Sequence, residues 1–180
     1  MKRIVSGLWI TVDGVIEAAD KWSFDYYSDE VNQSIGGLMA GGDTFLLGAT
    51  TYREFASFWP AKGTDDPIAV FMNNTPKFVV STTLDTVEWS NSTLVSGDVA
   101  EQVAKLKEQP GKDILVTGSA TLVRWLLHQR LLDELHLYVC PIVLGSGKRL
   151  FEPGGERLPL QLTETECFPK GIVRLNYQPA

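Results

Sequence analysis

Reactive side chains are scarce in this chain. Two histidines, His128 and His136, and two cysteines, Cys140 and Cys167, are all that its 180 residues offer. The cysteines stand far apart with no CxxC spacing. That excludes a disulfide framework and a paired-thiol redox site, and leads to the expectation of a reduced, cytoplasmic protein with inert thiols. His128 falls at a helix end and His136 within a strand, where packing or surface roles prevail over catalysis. No GxSxG, HExxH or Walker A run occurs, which removes the common serine-hydrolase, zinc-protease and P-loop chemistries. No group of His, Cys, Asp and Glu has metal-ligand spacing, so no metal is expected. Basic residues are in deficit: 16 Lys and Arg face 22 Asp and Glu, a formal net charge of −6. A nucleic-acid footprint needs the opposite. Long apolar runs are missing too. The opening MKRIVSGLWITVDGVIE is broken by Gly7, Asp13 and Gly14, and reads as neither a signal peptide nor a membrane span. There is no internal repeat and no low-complexity segment.

What is present is an ordinary globular composition, 44% hydrophobic and 21% charged,. The length suits one domain, 1–180, that buries about 70% of its unfolded surface. The most informative stretch runs from Asp113 to Phe151. Ile114-Leu115-Val116-Thr117 is short and apolar, as a buried strand would be. Gly118-Ser119 follows. Leu122, Leu126 and Leu127 then fall on one helical face, and Leu135 to Cys140 switches to a period of two. The reading is strand, glycine turn, helix, strand. Ser119 is an N-cap candidate for a helix starting at Ala120 or Thr121. A helix N-terminus beside glycine suits a phosphate, although the same Gly-Ser pair also serves as a plain tight turn.

Other segments repeat this grammar. Arg3 to Val12 reads as a central strand buried on both faces. It ends at Asp13-Gly14, where Asp13 is either a turn-former or a functional side chain at a strand end. The polar loop Glu17 to Tyr27 carries Trp22, Phe24, Tyr26 and Tyr27, which either wall a flat ligand or pack as satellite core. Ser28 or Asp29 caps a helix with an apolar stripe at Val31, Ile35, Leu38 and Met39, stopped by Gly41-Gly42. Thr44 to Leu47 is a second buried strand. It leads into Gly48-Ala49-Thr50-Thr51, with capping-box spacing between Thr51 and Glu54 and a short helix ending by Pro60. Ala61 to Pro67 reads as a polar loop. Lys77 to Ser81 is a third strand, followed by Thr82 and Thr83, whose hydroxyls cap a turn, bind water or donate to phosphate oxygens. Asp98 and Glu101 open a helix through about Glu108. Pro141 marks a bulge or edge before Ile142-Val143-Leu144 continues the strand. Leu158 to Glu166 and Ile172 to Tyr177 form a closing antiparallel pair. The sum is α/β with a mixed, mostly parallel sheet. Two strand–glycine–helix turns would converge on one diphosphate if their strands are neighbours. A chain with such turns but no nucleophile or metal suits hydride transfer, where the cofactor supplies the chemistry.

Several of these segments carry a resemblance. They are Val12-Asp13-Gly14, Leu47-Gly48-Ala49-Thr50-Thr51-Tyr52, Lys77-Phe78-Val79-Val80-Ser81, and above all Val116-Thr117-Gly118-Ser119 through Leu132-Asp133-Glu134-Leu135 to Pro141-Ile142-Val143-Leu144-Gly145-Ser146-Gly147. Together they span nearly the whole chain. The chain resembles the dihydrofolate reductase-like superfamily, and most of all stand-alone proteins similar to the reductase domain of the bifunctional riboflavin-biosynthesis deaminase-reductase. The resemblance implies a three-layer αβα fold with an antiparallel C-terminal strand, a homodimer, and NADPH as hydride donor. It implies that Gly48, Ala49, Thr50 and Thr51 cradle the cofactor phosphates from one side. Thr117, Gly118, Ser119, Ala120, Thr121 and Leu122 would do so from the other. It places Ser81, Thr82 and Thr83 near the adenosine 2′-phosphate, and Leu8, Ile10 and Ile16 beside the nicotinamide. The substrate would be a small heterocycle of the pteridine, folate or aminopyrimidine kind, held by Trp22, Tyr26 and Asp29 under the aromatic loop and oriented by Asp13. The chain departs from the family pattern at Ala49, where arginine is frequent, and at Val15, where the riboflavin enzymes often have lysine. The rival from another class is a catalytically silent, dimeric nucleotide-binding protein. A hydrolase or isomerase on the same fold is a third reading, without an evident acid–base pair.

Overall fold

Strand β1 (Ile4–Thr11) is buried along nearly its whole length, as its apolar, β-rich composition requires. In the computed structural model, which describes residues 1–180, it lies inside an eight-stranded sheet. The other strands are β2 (Gly42–Gly48), β3 (Lys77–Val80), β4 (Ser92–Val95), β5 (Asp113–Val116), β6 (Glu134–Cys140), β7 (Leu160–Cys167) and β8 (Val173–Pro179). The spatial order is β4-β3-β2-β5-β1-β6-β8-β7. Pairing is parallel from β4 to β6, and β8 runs antiparallel to both β6 and β7. The helices are α1 (Asp29–Ala40), α2 (Ala49–Phe58), α3 (Pro67–Asn74), α4 (Val99–Glu108) and α5 (Ala120–His128).

The strand order dictates where the helices go. From β1 the chain steps past β5 to β2 and on to β3, then returns from β4 to β5 and past β1 to β6. Right-handed crossovers put outbound and returning connections on opposite faces. Accordingly Val103 and Leu106 of α4 and Val123, Leu126 and Leu127 of α5 pack on Ile4, Leu8, Leu46 and Val116. Tyr52 of α2 and Met72 of α3 pack on Phe45, Leu47, Val79 and Leu115 across the sheet. Val31 and Ile35 of α1 join Trp22, Tyr138, Phe168 and Ile172. This is the expected three-layer fold.

The caps written in the sequence form. Ser28 Oγ accepts from Val31 N, Asp98 from Glu101 N and Ser119 Oγ from Leu122 N. Three expectations are corrected. Thr51 caps nothing: α2 begins two residues earlier at Ala49 with Gly48 as its N-cap, and the Thr51 side chain is drawn to Gly118 instead. The strand after Cys140 does not continue through Ile142 to Leu144, because Pro141 has no N–H for the ladder and the N–H groups of Leu144 and Gly145 turn to Asp13. The loop expected over Ala61 to Pro67 is trimmed at both ends, by a 3-10 turn at Trp59–Lys62 and by α3, which begins at Pro67 itself. Asp66 accepts from Ile68 N and Ala69 N, and Pro67 takes the first helical position, an Asp-Pro start that the local pattern does contain.

At the far end of the sheet Lys77 is wholly buried. Its Nζ donates to the carbonyls of Asn73 (3.2 Å), Thr75 (2.7 Å) and Ser90 (3.1 Å) and lies 4.2 Å from the Trp89 ring centroid. It ties the end of α3 to the connection between β3 and β4. Burial pushes the Lys77 ammonium down to about 8, below its unfolded value, so the unfolded chain binds the extra proton between those two values. This group therefore adds stability as pH rises above 8. Lys77→Met strands three carbonyl acceptors and is expected to cost about 2–4 kcal/mol. Denaturant unfolding should show that loss at pH 7, and the variant should lack the wild-type rise in stability between pH 8 and pH 10.

Candidate functional site

Parallel strands bring their C-terminal ends to one edge of the sheet. There β5 departs toward one face while both its neighbours, β2 and β1, depart toward the other. A crevice opens at such a reversal. Two glycine turns meet in it. A Cβ on Gly48 would lie 2.6 Å from Ser119 Oγ, and one on Gly118 would lie 3.1 Å from Thr51 Oγ1. Gly118 also has φ +145°, where a side chain is strained. Glycine at both positions lets the N-termini of α2 and α5 touch from opposite faces. Their first-turn N–H groups and partial positive charges then share one small volume. Ser119 holds its place at φ 66° with its hydroxyl accepting from Leu122 N at 3.2 Å. No side chain caps α2, so its first N–H groups stay available. Thr117 Oγ1 is buried at the same mouth without a partner. Donors of this kind, presented by two helix ends, fit a diphosphate.

The expected hydroxyl turn lies one strand further. Val80 of β3 stands opposite Gly48 of β2. Beyond it Ser81 Oγ accepts from Thr83 N at 3.0 Å and from Leu84 N at 2.9 Å. Thr82 and Thr83 are exposed. Thr83 Oγ1 receives Arg53 Nη2 at 3.4 Å. Residues 48–51, 81–83 and 117–122, read as separate turns in the sequence, therefore sit at the ends of three consecutive strands. Arg53 was not among the expected residues. Its signal was its place one helical turn after Ala49.

At the β1 end the picture differs from expectation. Leu8 and Ile10 lie in the main core with α5, and Ile16 packs at its margin. Of the three only Ile16 keeps part of its surface exposed. Trp22, expected at the substrate, is 8% exposed and belongs to the core with Tyr138 and Phe168, its indole N–H donating to the Glu17 carbonyl. Tyr26 is half-buried beside the same core, and Asp29 is exposed in the first turn of α1. Phe24 stacks 5.4 Å from Tyr27, which lies 4.9 Å from Trp9. Phe24 is 64% exposed. Burial raises the Tyr27 phenol above its ordinary range.

Asp13 serves as a clamp. Oδ1 accepts from Thr11 Oγ1 at 2.6 Å and Leu144 N at 3.3 Å, and Oδ2 accepts from Gly145 N at 2.9 Å. Arg149 approaches Oδ2 to 3.9 Å. The Thr11 hydroxyl, with Gly145 N–H next, holds the carboxylate below its usual range. Such a group stays ionised and is a poor proton donor at neutral pH. It fastens the exit of β1 to the segment 144–147, beside exposed Val12, Val143 and Leu144.

The layer order, the single reversed strand and the crevice at the β2–β5–β1 ends define a dihydrofolate reductase-like protein. The comparisons agree. The family model of the RibD C-terminal domain matches residues 2–174, and the chain belongs to that family. Two Bacillus subtilis (strain 168) proteins, the uncharacterized YyaP and YwjB, are similar at 28% and 26% identity. Each alignment covers 98% of this chain, with 94% of YyaP and 97% of YwjB. A crystal structure from Shewanella sp. PV-4, provisionally ascribed to riboflavin biosynthesis, superposes with a TM-score of 0.78 at 24% identity, covering 100% of this chain and 99% of its own. The Thermotoga maritima diaminohydroxyphosphoribosylaminopyrimidine deaminase/5-amino-6-(5-phosphoribosylamino)uracil reductase gives 0.70 at 15% identity over 99% of this chain and 57% of its own. These likenesses establish the fold.

The clamp role of Asp13 has a direct readout. Asp13→Ala removes the acceptor for the Leu144 and Gly145 amides, so hydrogen exchange across residues 144–147 should accelerate. Asp13→Asn keeps one acceptor oxygen but turns an NH2 toward the other amide, and should give an intermediate acceleration.

Proposed function

We propose that this protein is a nicotinamide-dependent reductase that uses NADPH to reduce a small heterocycle of the pteridine, folate or aminopyrimidine kind. The observation that carries the reading is the contact between the Gly48 and Gly118-Ser119 turns, which joins two helix N-termini at the sheet's reversal point. The family supports it, since a reductase of an aminouracil appears among the proteins that share this fold. When bound, the cofactor supplies the hydride. The chain's own residues do the rest. The N–H groups opening α2 and α5 hold the diphosphate, and Ser81, Thr82 and Thr83 take the far phosphate. Ile16 borders the reacting ring, and Trp9, Tyr27 and Phe24 offer flat apolar surface to a heterocycle. Asp13 positions the 144–147 segment rather than moving a proton. The proton that accompanies hydride then comes from water or from the substrate's own ring.

A second reading is favoured by one specific observation: both Asp13 oxygens are occupied by donors, so that carboxylate has no proton to give. On that reading the protein binds nucleotide without turnover. A homodimer accompanies either reading, as the resemblance implies, and sedimentation velocity tests it. No helix is long and apolar enough to cross a membrane, and the cytoplasm, where NADPH is available, is the proposed location.

Tryptophan fluorescence titration tests the cofactor. Saturable binding of NADPH, tighter than that of NADH, is expected. No binding of either below the low-millimolar range sinks the reading. Gly48→Val places side-chain atoms where Ser119 stands, and should abolish binding while circular dichroism shows the fold retained. Substrate-dependent oxidation of NADPH on a panel of pterins, folates and aminouracils separates the reductase from the silent binder.

A further inference from the structure

Ala49 occupies the first position of α2, where family members often place a guanidinium against the cofactor. The structure holds another guanidinium four residues on, on the same helical face. Arg53 is exposed, and its single side-chain hydrogen bond is to the Thr83 hydroxyl, at 3.4 Å. Arg3, Arg124, Arg149 and Arg174 each engage a carboxylate; Arg53, like Arg130 and Arg157, engages none, and of these three it is the one that hydrogen-bonds the Ser81–Thr83 turn. A guanidinium in an acidic protein, resting on a neutral hydroxyl at the long end of hydrogen-bond distance, keeps nearly all of its donors free. It lines a groove of about 670 Å³ between α2 and the β3–β4 connection, together with Ser57, Thr86, Trp89 and Ser90. Glu88 lines the same groove without pairing to it.

Position makes this charge useful. Gly48 and Val80 are register partners on β2 and β3, so the cradle at the Gly48–Ser119 contact and the Ser81–Thr83 turn lie one to two strand spacings apart, about 5–10 Å. An anionic group on a ligand whose diphosphate occupies the cradle reaches the turn across one sugar. There it would meet a turn already fixed by Ser81 Oγ, the exposed hydroxyl of Thr82, the hydroxyl of Thr83, which Arg53 and Ser81 Oγ each approach to 3.4 Å, and the fork of Arg53. Arginine binds phosphate through paired donors, which a hydroxyl turn alone does not offer.

We infer that Arg53, together with Thr83, is the phosphomonoester clamp that makes this chain select a 2′-phosphorylated dinucleotide, replacing from the second turn of α2 the charge that Ala49 lacks. The inference rests on the cofactor reading above. Arg53 touches the cofactor's phosphate, not its reacting atoms, so it acts on choice of cofactor and not on the chemical step.

The test is a matched titration of wild type, Arg53→Gln, Arg53→Lys and Ala49→Arg with NADPH, NADH and 2′,5′-ADP. Arg53→Gln is expected to weaken NADPH and 2′,5′-ADP about tenfold or more and to leave NADH within about twofold. Arg53→Lys should recover part of the loss, as a point charge without the fork. Ala49→Arg placed in the Arg53→Gln background should restore preference for NADPH. Equal loss of NADPH and NADH in Arg53→Gln, or no loss of either, overturns the role of Arg53 while the cofactor reading stands. If wild type binds none of the three, the cofactor reading itself fails, and the clamp with it.

Discussion

Gly48 and Ser119 occupy the same few ångströms, and the functional end of the molecule depends on that contact. A side chain on Gly48 would meet Ser119 at 2.6 Å, and one on Gly118 would press on Thr51. The contact exists because β2 and β5 are parallel neighbours whose helices leave on opposite faces. Right-handed crossovers force that divergence once the strand order is set. The sheet thus creates a gap, and two glycines let the helix ends close it to the size of an anion. Thr51 shows how tightly this is drawn. A residue with good capping chemistry gives up that role and packs on Gly118 instead.

An acidic protein with a cradle proposed for an anion faces a conflict that local geometry resolves. The net charge of −6 acts over a Debye length of about 8 Å in physiological salt, whereas helix-end N–H groups act at hydrogen-bond distance. Two carboxylates at the β1 end of the site are kept occupied. Asp13 spends its charge on Thr11, Leu144 and Gly145. Glu17 accepts from Lys148 N at 3.1 Å, on the loop that Asp13 also holds. Two acids that would repel a phosphate are thereby turned into the fasteners of one glycine-rich segment.

Much of this was legible one residue at a time. Ser28, Asp98 and Ser119 cap helices because capping is local, decided within three residues. β1, β2 and β5 declare themselves because strands buried on both faces must be apolar throughout. The antiparallel closing pair follows from alternation. What was hidden depends on distant partners. Trp22 looks like a ligand wall until Tyr138 and Phe168 arrive from β6 and the far C-terminal region to bury it. Asp13 looks free until the chain returns, more than a hundred residues later, with two backbone amides. The Asp66-Pro67 start of α3 was local and visible, but the polar run before it masked the helix.

Arg53 marks the boundary between these cases. Its helix, its face and its spacing from Ala49 are local facts. That it has no carboxylate partner is a property of the whole fold, which gives one to four of the other six arginines. Spacing along a helix fixes which surface a charge sweeps, and a long side chain reaches farther than a short one at the helix start. A guanidinium can therefore move from the first turn to the second and still serve the same turn of a neighbouring strand, provided nothing else captures it. In this chain its one hydrogen bond, to Thr83, is 3.4 Å long, and Glu88 lines the same groove. The loss of a motif residue is then read correctly only together with the charges left over elsewhere on the same face.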